Sequence, residues 1–274
     1  MKYFFSLILF FILIISCKEK VKTNNIKPDI SIQALQFDFM KWWDYYNSNI
    51  KLSSTFVSID ENSKIISKQL FLKALKTGKY IPIQLKGNNS NTVKQYQLFE
   101  LASNFDKNIK STIQMEASNA YKHFQLEGTL FPNFSFKDLE GKSYSSEVTK
   151  GKILVLKCWF IQCQKCIEEF PVLNNLVKKY NNRNDILFVS LASDTKKELQ
   201  EFLSKKSFTY KVIAEQADFM KEKLGLTMYP THYIIDENGI IKKVVNSVDE
   251  LQQELSVFIN KKKRPSPPPP SQSK

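Results

Sequence analysis

Between residues 32 and 46, Ile32, Leu35, Phe39, Trp42, Trp43 and Tyr46 recur at steps of three and four, the spacing of an amphipathic helix. That aromatic stripe reads as core. Residues 52–59 alternate weakly and predict a strand, and 67–76 predict a short helix ending near Gly78. A second strand is expected over 80–86. Pro82 assigns it to a sheet edge, because proline has no N–H to give to a central ladder. Gly87 and the polar residues after it read as a loop. A third strand over 95–101 then precedes a helix over about 105–124. This stretch contains no repeat and no catalytic constellation.

The pattern changes near Gly128. Residues 134–144 predict a hairpin turning at Glu140-Gly141. Gly151-Lys152 marks a turn before Ile153, Leu154, Val155 and Leu156, an aliphatic run that reads as a buried strand, and 166–177 has helical spacing. Further strands are expected over 186–191 and 210–213, with helices over 196–205 and 219–224. Residues 232–236 and 240–245 flank Glu237-Asn238-Gly239 as a second hairpin, and a helix over 248–259 closes the unit. Strands alternating with helices predict an α/β layered fold over 128–260, preceded by a smaller α+β module over 31–127.

With 274 residues the chain can bury one or two real cores, and its 42% apolar and 24% charged residues are ordinary for a globular protein. Net charge is +13, but Lys261, Lys262, Lys263, Arg264 and Lys274 carry five of those charges in the last fourteen residues. No basic stripe with interleaved aromatics appears, so nucleic acid is not an expected partner. An anionic membrane surface suits the charge better. Residues 261–274, with Pro265-Ser-Pro-Pro-Pro-Pro, read as a disordered or polyproline tail.

The first sixteen residues suggest a compartment. Met1-Lys2 is a short charged start, and 3–15 is apolar apart from Ser6. That run is too short for a comfortable membrane span and fits a secretion signal. Ser16-Cys17 resembles a bacterial lipobox, which implies cleavage before Cys17 and lipidation of its thiol. Residues 17–30 would then be a tether. The mature protein is expected in the bacterial cell envelope, lipid-anchored and extracytoplasmic, where disulfides persist.

Three cysteines remain, Cys158, Cys163 and Cys166, all within nine residues, so they do not form a structural disulfide framework. The pair Cys163-Gln164-Lys165-Cys166 falls where a strand hands over to a helix N-terminus, whose free N–H groups and positive dipole end favour a thiolate. Two cysteines at this spacing can close a small ring, which suits reversible exchange with Cys163 attacking and Cys166 resolving. Alone, the motif could also be half a metal site. A zinc site needs two more ligands, and the only histidines are His123 and His232. Cys158, inside the strand, reads as a small buried hydrophobe.

Taken together, residues 128–260 resemble the TlpA/ResA-like branch of the thioredoxin superfamily, membrane-tethered thiol–disulfide oxidoreductases of the bacterial envelope. The resemblance rests on Phe134, Asp138 and Gly141-Lys142 with Gly151-Lys152; on Trp159, Cys163 and Cys166; on Glu169 and Pro171; and on Tyr229-Pro230-Thr231 followed by Ile234, Asp236 and Gly239. It implies a thioredoxin-like fold with a central mixed sheet and a redox-active Cys163–Cys166 disulfide. It also implies a cis-proline loop at Pro230 that shapes a substrate groove with Trp159, Gln162, Gln164, Lys165, Tyr229 and Thr231. Trp159 is expected to pack beneath the site, and Pro171 to kink the active-site helix. Glu169, one turn past Cys166, is expected near the pair, where a raised pKa would let it pass a proton to or from Cys166.

Implied partners are protein disulfide substrates, such as an apocytochrome c, another oxidoreductase or a stressed envelope protein, and an upstream membrane electron donor or acceptor. No cofactor and no metal are expected. Two positions depart from the family. Gln162 stands where a Trp is common, and Lys165, where a Pro is often found, places a cation near both sulfurs, which should favour the thiolate and a more oxidising couple. A copper-handling relative remains an alternative through His232, as does a non-catalytic binding protein. Peroxidase chemistry is not expected, because Phe160 occupies the place of the Thr that peroxiredoxins carry.

Overall fold

The computed structural model describes residues 32–85 and 93–263. The expected signal 1–16, the lipidation site Cys17, the tether 17–30, the loop at 87–91 and the tail from residue 264 lie outside the described residues.

Two helices, α1 (Ile32–Gln36) and α2 (Phe39–Asn49), replace the single one read from the stripe. Asp38 between them is extended, and its carboxylate accepts the Lys41 N–H, capping α2 and breaking the run. The stripe is core nonetheless, with Trp42 fully buried. Next come β1 (Val57–Ile59), β2 (Ile65–Ile66), α3 (Lys68–Lys76), β3 (Tyr80–Leu85), β4 (Gln95–Glu100) and α4 (Lys107–Leu126). Ser67 and Asp106 cap α3 and α4. The sheet runs β2-β1-β4-β3. Only the β1–β4 pair is parallel, and Pro82 lies on the edge strand β3, as its missing N–H demands. Phe71, Leu72 and Leu75 of α3 and Ile109 and Ile113 of α4 cover this sheet as one core.

The strand expected over 52–59 is shorter because Leu52, Ser53 and Ser54 turn away to dock on the second module. There Thr55 N–H donates to Glu254 Oε1 at 2.7 Å and the Ser54 hydroxyl to Glu250 Oε1 at 3.3 Å. Lys68 Nζ holds the docking loop by its carbonyls, at 3.0 Å from Ser53 O and 2.8 Å from Ser54 O. Burial lowers the Lys68 pKa to about 8.

The second module comprises β5 (Ser135–Lys137), β6 (Ser143–Ser145), β7 (Ile153–Trp159), α5 (Gln164–Glu168), α6 (Phe170–Lys179), β8 (Ile186–Ala192), α7 (Lys196–Leu203) and β9 (Lys211–Ile213). A π-helical turn at Phe219–Lys223, β10 (Thr231–Ile235), β11 (Ile241–Val245) and α8 (Val248–Lys263) complete it. The helix α8 continues through Lys263, past Lys261, where the basic tail is expected to begin.

Strand order is β11-β10-β7-β8-β9. The β7–β8–β9 pairs are parallel and the β7–β10–β11 pairs antiparallel. This is the α/β fold read from the residue pattern, in the thioredoxin-like form that the family resemblance implies. Every residue of β7 is buried, because it lies at the centre of the sheet with both faces covered. Ile153 and Val155 pack under α6 and α8, whereas Leu154, Leu156 and Cys158 face Phe131, Phe136 and Met220. The active-site turn leaves the carboxyl end of that central strand, where α/β sheets present their sites.

Candidate active site

Cys163 is the N-cap of α5, with its sulfur accepting the Cys166 N–H at 3.3 Å. The two sulfurs form a disulfide with an S–S distance of 2.07 Å and a Cα–Cα distance of 5.2 Å. Cys163 keeps 8% of its surface exposed and Cys166 none, so a partner can reach only the first sulfur. When the bond is reduced, the same N–H and the start of the helix face Cys163 and favour its thiolate.

The turn that carries the pair is fixed on several sides. Ile161 N–H donates to Asp194 Oδ2 at 2.9 Å, and Cys163 N–H to Phe160 O at 3.1 Å. The Phe160 ring meets the Tyr229 ring edge-on at 5.3 Å, tying this turn to the neighbouring proline loop. In that loop the Tyr229–Pro230 bond is cis. Asn246 Nδ2 donates both to Pro230 O at 3.1 Å and to Thr231 Oγ1 at 3.2 Å.

Of the residues expected around the groove, Gln162, Gln164 and Lys165 are exposed, Tyr229 is half-buried and Pro230 is buried beside them. Trp159 does not line a groove. The alternation of β7 turns it beneath the α5–α6 junction, where it is fully buried with its ring edge-on to Phe170 at 5.1 Å. The Thr231 side chain also points inward, and its hydroxyl donates to Met228 O at 2.8 Å. Pro171 stands in the first turn of α6, where the helical run breaks at Glu169 into α5 and α6.

Glu169 departs from expectation in its protonation. Burial would raise its pKa, but His232 and Lys157 outweigh burial and hold it down at about 2. Glu169 Oε2 lies 2.5 Å from Lys157 Nζ and 3.0 Å from His232 Nε2, and Oε1 accepts the Val248 N–H at 2.8 Å. The carboxylate therefore stays ionised at neutral pH and is not poised to carry a proton. Burial, with Lys157 close by, lowers the His232 pKa, and its Nε2 lies within hydrogen-bond distance of Glu169 Oε2. Lys157 was not singled out from the sequence, although one lysine inside an all-buried strand was the visible signal. It and His232 are register partners on β7 and β10, so the sheet itself brings them together.

Cys158 is fully buried on the opposite face of β7, and burial pushes its pKa far up. It sits among apolar side chains as the small buried hydrophobe read from the strand, and these surroundings disfavour its thiolate.

A cleft of about 610 Å³, lined by Lys165 between the two cysteines but by neither cysteine, has walls from both modules. Lys165, Glu168, Tyr229, Pro230 and Asp249 form one side, and Trp43, Lys51 and Glu116 the other. Burial raises the Glu116 pKa while Lys165, facing it across the cleft, pulls it down.

Residues 128–244 match the AhpC/TSA family. The chain is 29% identical over 136 residues to the thioredoxin-like protein YneN of Bacillus subtilis, covering 48% of this chain and 79% of that one. It is 25% identical over 131 residues to the thiol-disulfide oxidoreductase ResA of Geobacillus thermodenitrificans, covering 47% and 75%. Among solved structures, the thioredoxin domain of a thiol-disulfide oxidoreductase from Bacteroides vulgatus aligns over 49% of this chain and 98% of that one, with 21% identity and a TM-score of 0.45.

Proposed function

Because the C-terminal half of this chain is a ResA-like thioredoxin-fold domain of the AhpC/TSA family, we propose that the protein is an extracytoplasmic, membrane-tethered thiol–disulfide oxidoreductase that reduces disulfides of envelope proteins. The observation that carries this reading is the Cys163–Cys166 disulfide at the start of α5, with Tyr229 of the cis-Pro230 loop packed against its cluster. The apolar 3–15 segment and Cys17 support the tether. The ResA-type relatives support the chemistry.

In the reduced protein, Cys163 thiolate attacks one sulfur of a partner disulfide. The partner S–S bond breaks, its second sulfur leaves as a thiolate and takes a proton, and a mixed disulfide forms. Cys166, deprotonated, then attacks Cys163 Sγ. The Cys163–Cys166 bond closes and the partner leaves as a dithiol, having gained two electrons. A dithiol donor at the membrane returns those electrons by the same exchange in reverse. Backbone of the partner segment pairs beside cis-Pro230 while its sulfur faces Cys163.

The test is mixed-disulfide trapping with insulin as substrate. Cys166→Ser should accumulate a covalent adduct at Cys163, and Cys163→Ser should neither trap nor reduce. Insulin reduction that survives Cys163→Ser would end the reading. A redox titration then sets direction: a couple at or below about −250 mV marks a reductant, and one near about −120 mV an oxidant.

A further inference from the structure

The N-terminal module supplies a wall of the cleft that Lys165 and Pro230 line from the other side. It is tied there by direct bonds. Asn119 Nδ2 on α4 donates to Asn246 Oδ1 at 3.2 Å, and Asn246 in turn donates to the carbonyl of cis-Pro230. Thr55 and Ser54 anchor on α8, and Lys243 pairs with Glu127 at 3.2 Å. The wall is thus held in register with the loop against which a partner's backbone would lie.

The charge of that cleft is opposite to the charge of the chain. Its acids are Glu116, Glu168, Asp249 and Glu250 besides Glu169, and its bases are Lys51 and Lys165. Glu169 is already held by Lys157, and Glu250 is buried against Ser54 and Ser247, which leaves Glu116, Glu168 and Asp249 facing the two lysines inside a protein of net charge +13. The volume, about 610 Å³, falls in the range of ~300–1,000 Å³ typical of sites that enclose a ligand.

We propose that this cleft receives the residues flanking the partner's reactive cysteine, and that Glu116 of the N-terminal module, with Glu168 and Asp249, selects an extended polypeptide segment carrying Lys or Arg beside that cysteine. The selection rests on the oxidoreductase reading and deepens it. Binding is noncovalent: carboxylates meet the cationic side chain while the disulfide lies over Cys163, and the exchange steps are unchanged. The overall charge of the protein predicts the reverse preference, for an acidic partner, so the two can be told apart.

The experiment measures exchange rates of the reduced protein with two disulfide peptides that differ only in having Lys or Glu next to the cysteine, at low ionic strength. The Lys peptide should react about tenfold faster, the lower end of what electrostatic steering supplies. Glu116→Gln and Asp249→Asn, singly and together, should narrow the ratio, the double variant to under about threefold, and high salt should do the same. Asp249 is exposed, so its variant keeps the test open if the Glu116 variant folds poorly. Glu61→Lys, an exposed site outside the cleft lining, adds more charge than either cleft variant yet should leave the ratio within about twofold. Equal rates for the two peptides, a faster Glu peptide, or equal narrowing by Glu61→Lys would overturn the proposal. Absence of exchange with either peptide and with a small aromatic disulfide would overturn the oxidoreductase reading, and this inference with it.

Discussion

Glu169 Oε2 lies 2.5 Å from Lys157 Nζ, and that lysine side chain has no exposed surface. A charge pair so placed is a poor source of net stability, because each ion gives up its hydration. Breaking it is another matter, since the ion left behind stays buried and unpaired. Lys157→Met should therefore destabilise the protein by about 3–5 kcal/mol, and adding Glu169→Leu should recover much of the loss. Urea unfolding of the two variants checks this. A single variant within about 1 kcal/mol of the parent would mean that the pair is solvated.

The same cluster sets an acid dependence. Glu169 has a folded pKa of about 2, below its unfolded value of about 4.3, so its contribution is complete above the unfolded value and is lost as pH falls toward 2. The full shift corresponds to at most about 3 kcal/mol. His232 acts in the same direction. Its folded pKa is lowered, so below about pH 6.5 unfolding takes up a proton and stability declines. Unfolding free energy should fall from about pH 6.5 to 2, and Glu169→Gln should flatten the part below about pH 5. An unchanged slope in that variant would refute the assignment.

Cys158 and the redox pair should separate cleanly by reagent access. In the native reduced protein an aromatic disulfide reagent should react with Cys163, Cys166 then displacing it to close the disulfide, and with Cys158 only after unfolding, because Cys158 is fully buried with its thiol held protonated. Cys158→Ala should keep insulin reduction. Cys158→Ser should be the less stable of the two, by about 1–3 kcal/mol, if its hydroxyl finds no partner in that core. Three reactive thiols in the native state would contradict the packing.

Glu254 ties the halves together by accepting both the Thr55 N–H and, at 3.2 Å, the Thr55 hydroxyl. Glu254→Ala leaves that N–H without its acceptor and should cost about 1–3 kcal/mol. Trp42 and Trp43 report on the N-terminal module and Trp159 on the catalytic one. Single-tryptophan variants should follow one shared unfolding transition in the parent and drift apart in Glu254→Ala. Transitions already separate in the parent would show that the modules fold independently.

Sequence alone determined the elements whose cause is local. The aliphatic run before Cys158, the glycine turns, the Asn-Gly hairpin and Pro82 on an edge strand each follow from backbone sterics or side-chain period, and all are present in the fold. The C-x-x-C pair was legible because a strand end followed by a helix start is itself a short-range pattern. The break at Asp38 was also local, a capping carboxylate overriding the aromatic period. Other features depended on residues far apart in the chain. Whether Glu169 is neutral or ionised depended on Lys157 and His232, which the β7–β10 register places side by side beneath it. Trp159 left the groove because alternation along β7 turns it into the core. No residue pattern announced that Asn119 reaches Asn246, or that Glu116 faces Lys165. Those pairings exist only once two hydrophobic cores have formed and their surfaces have met.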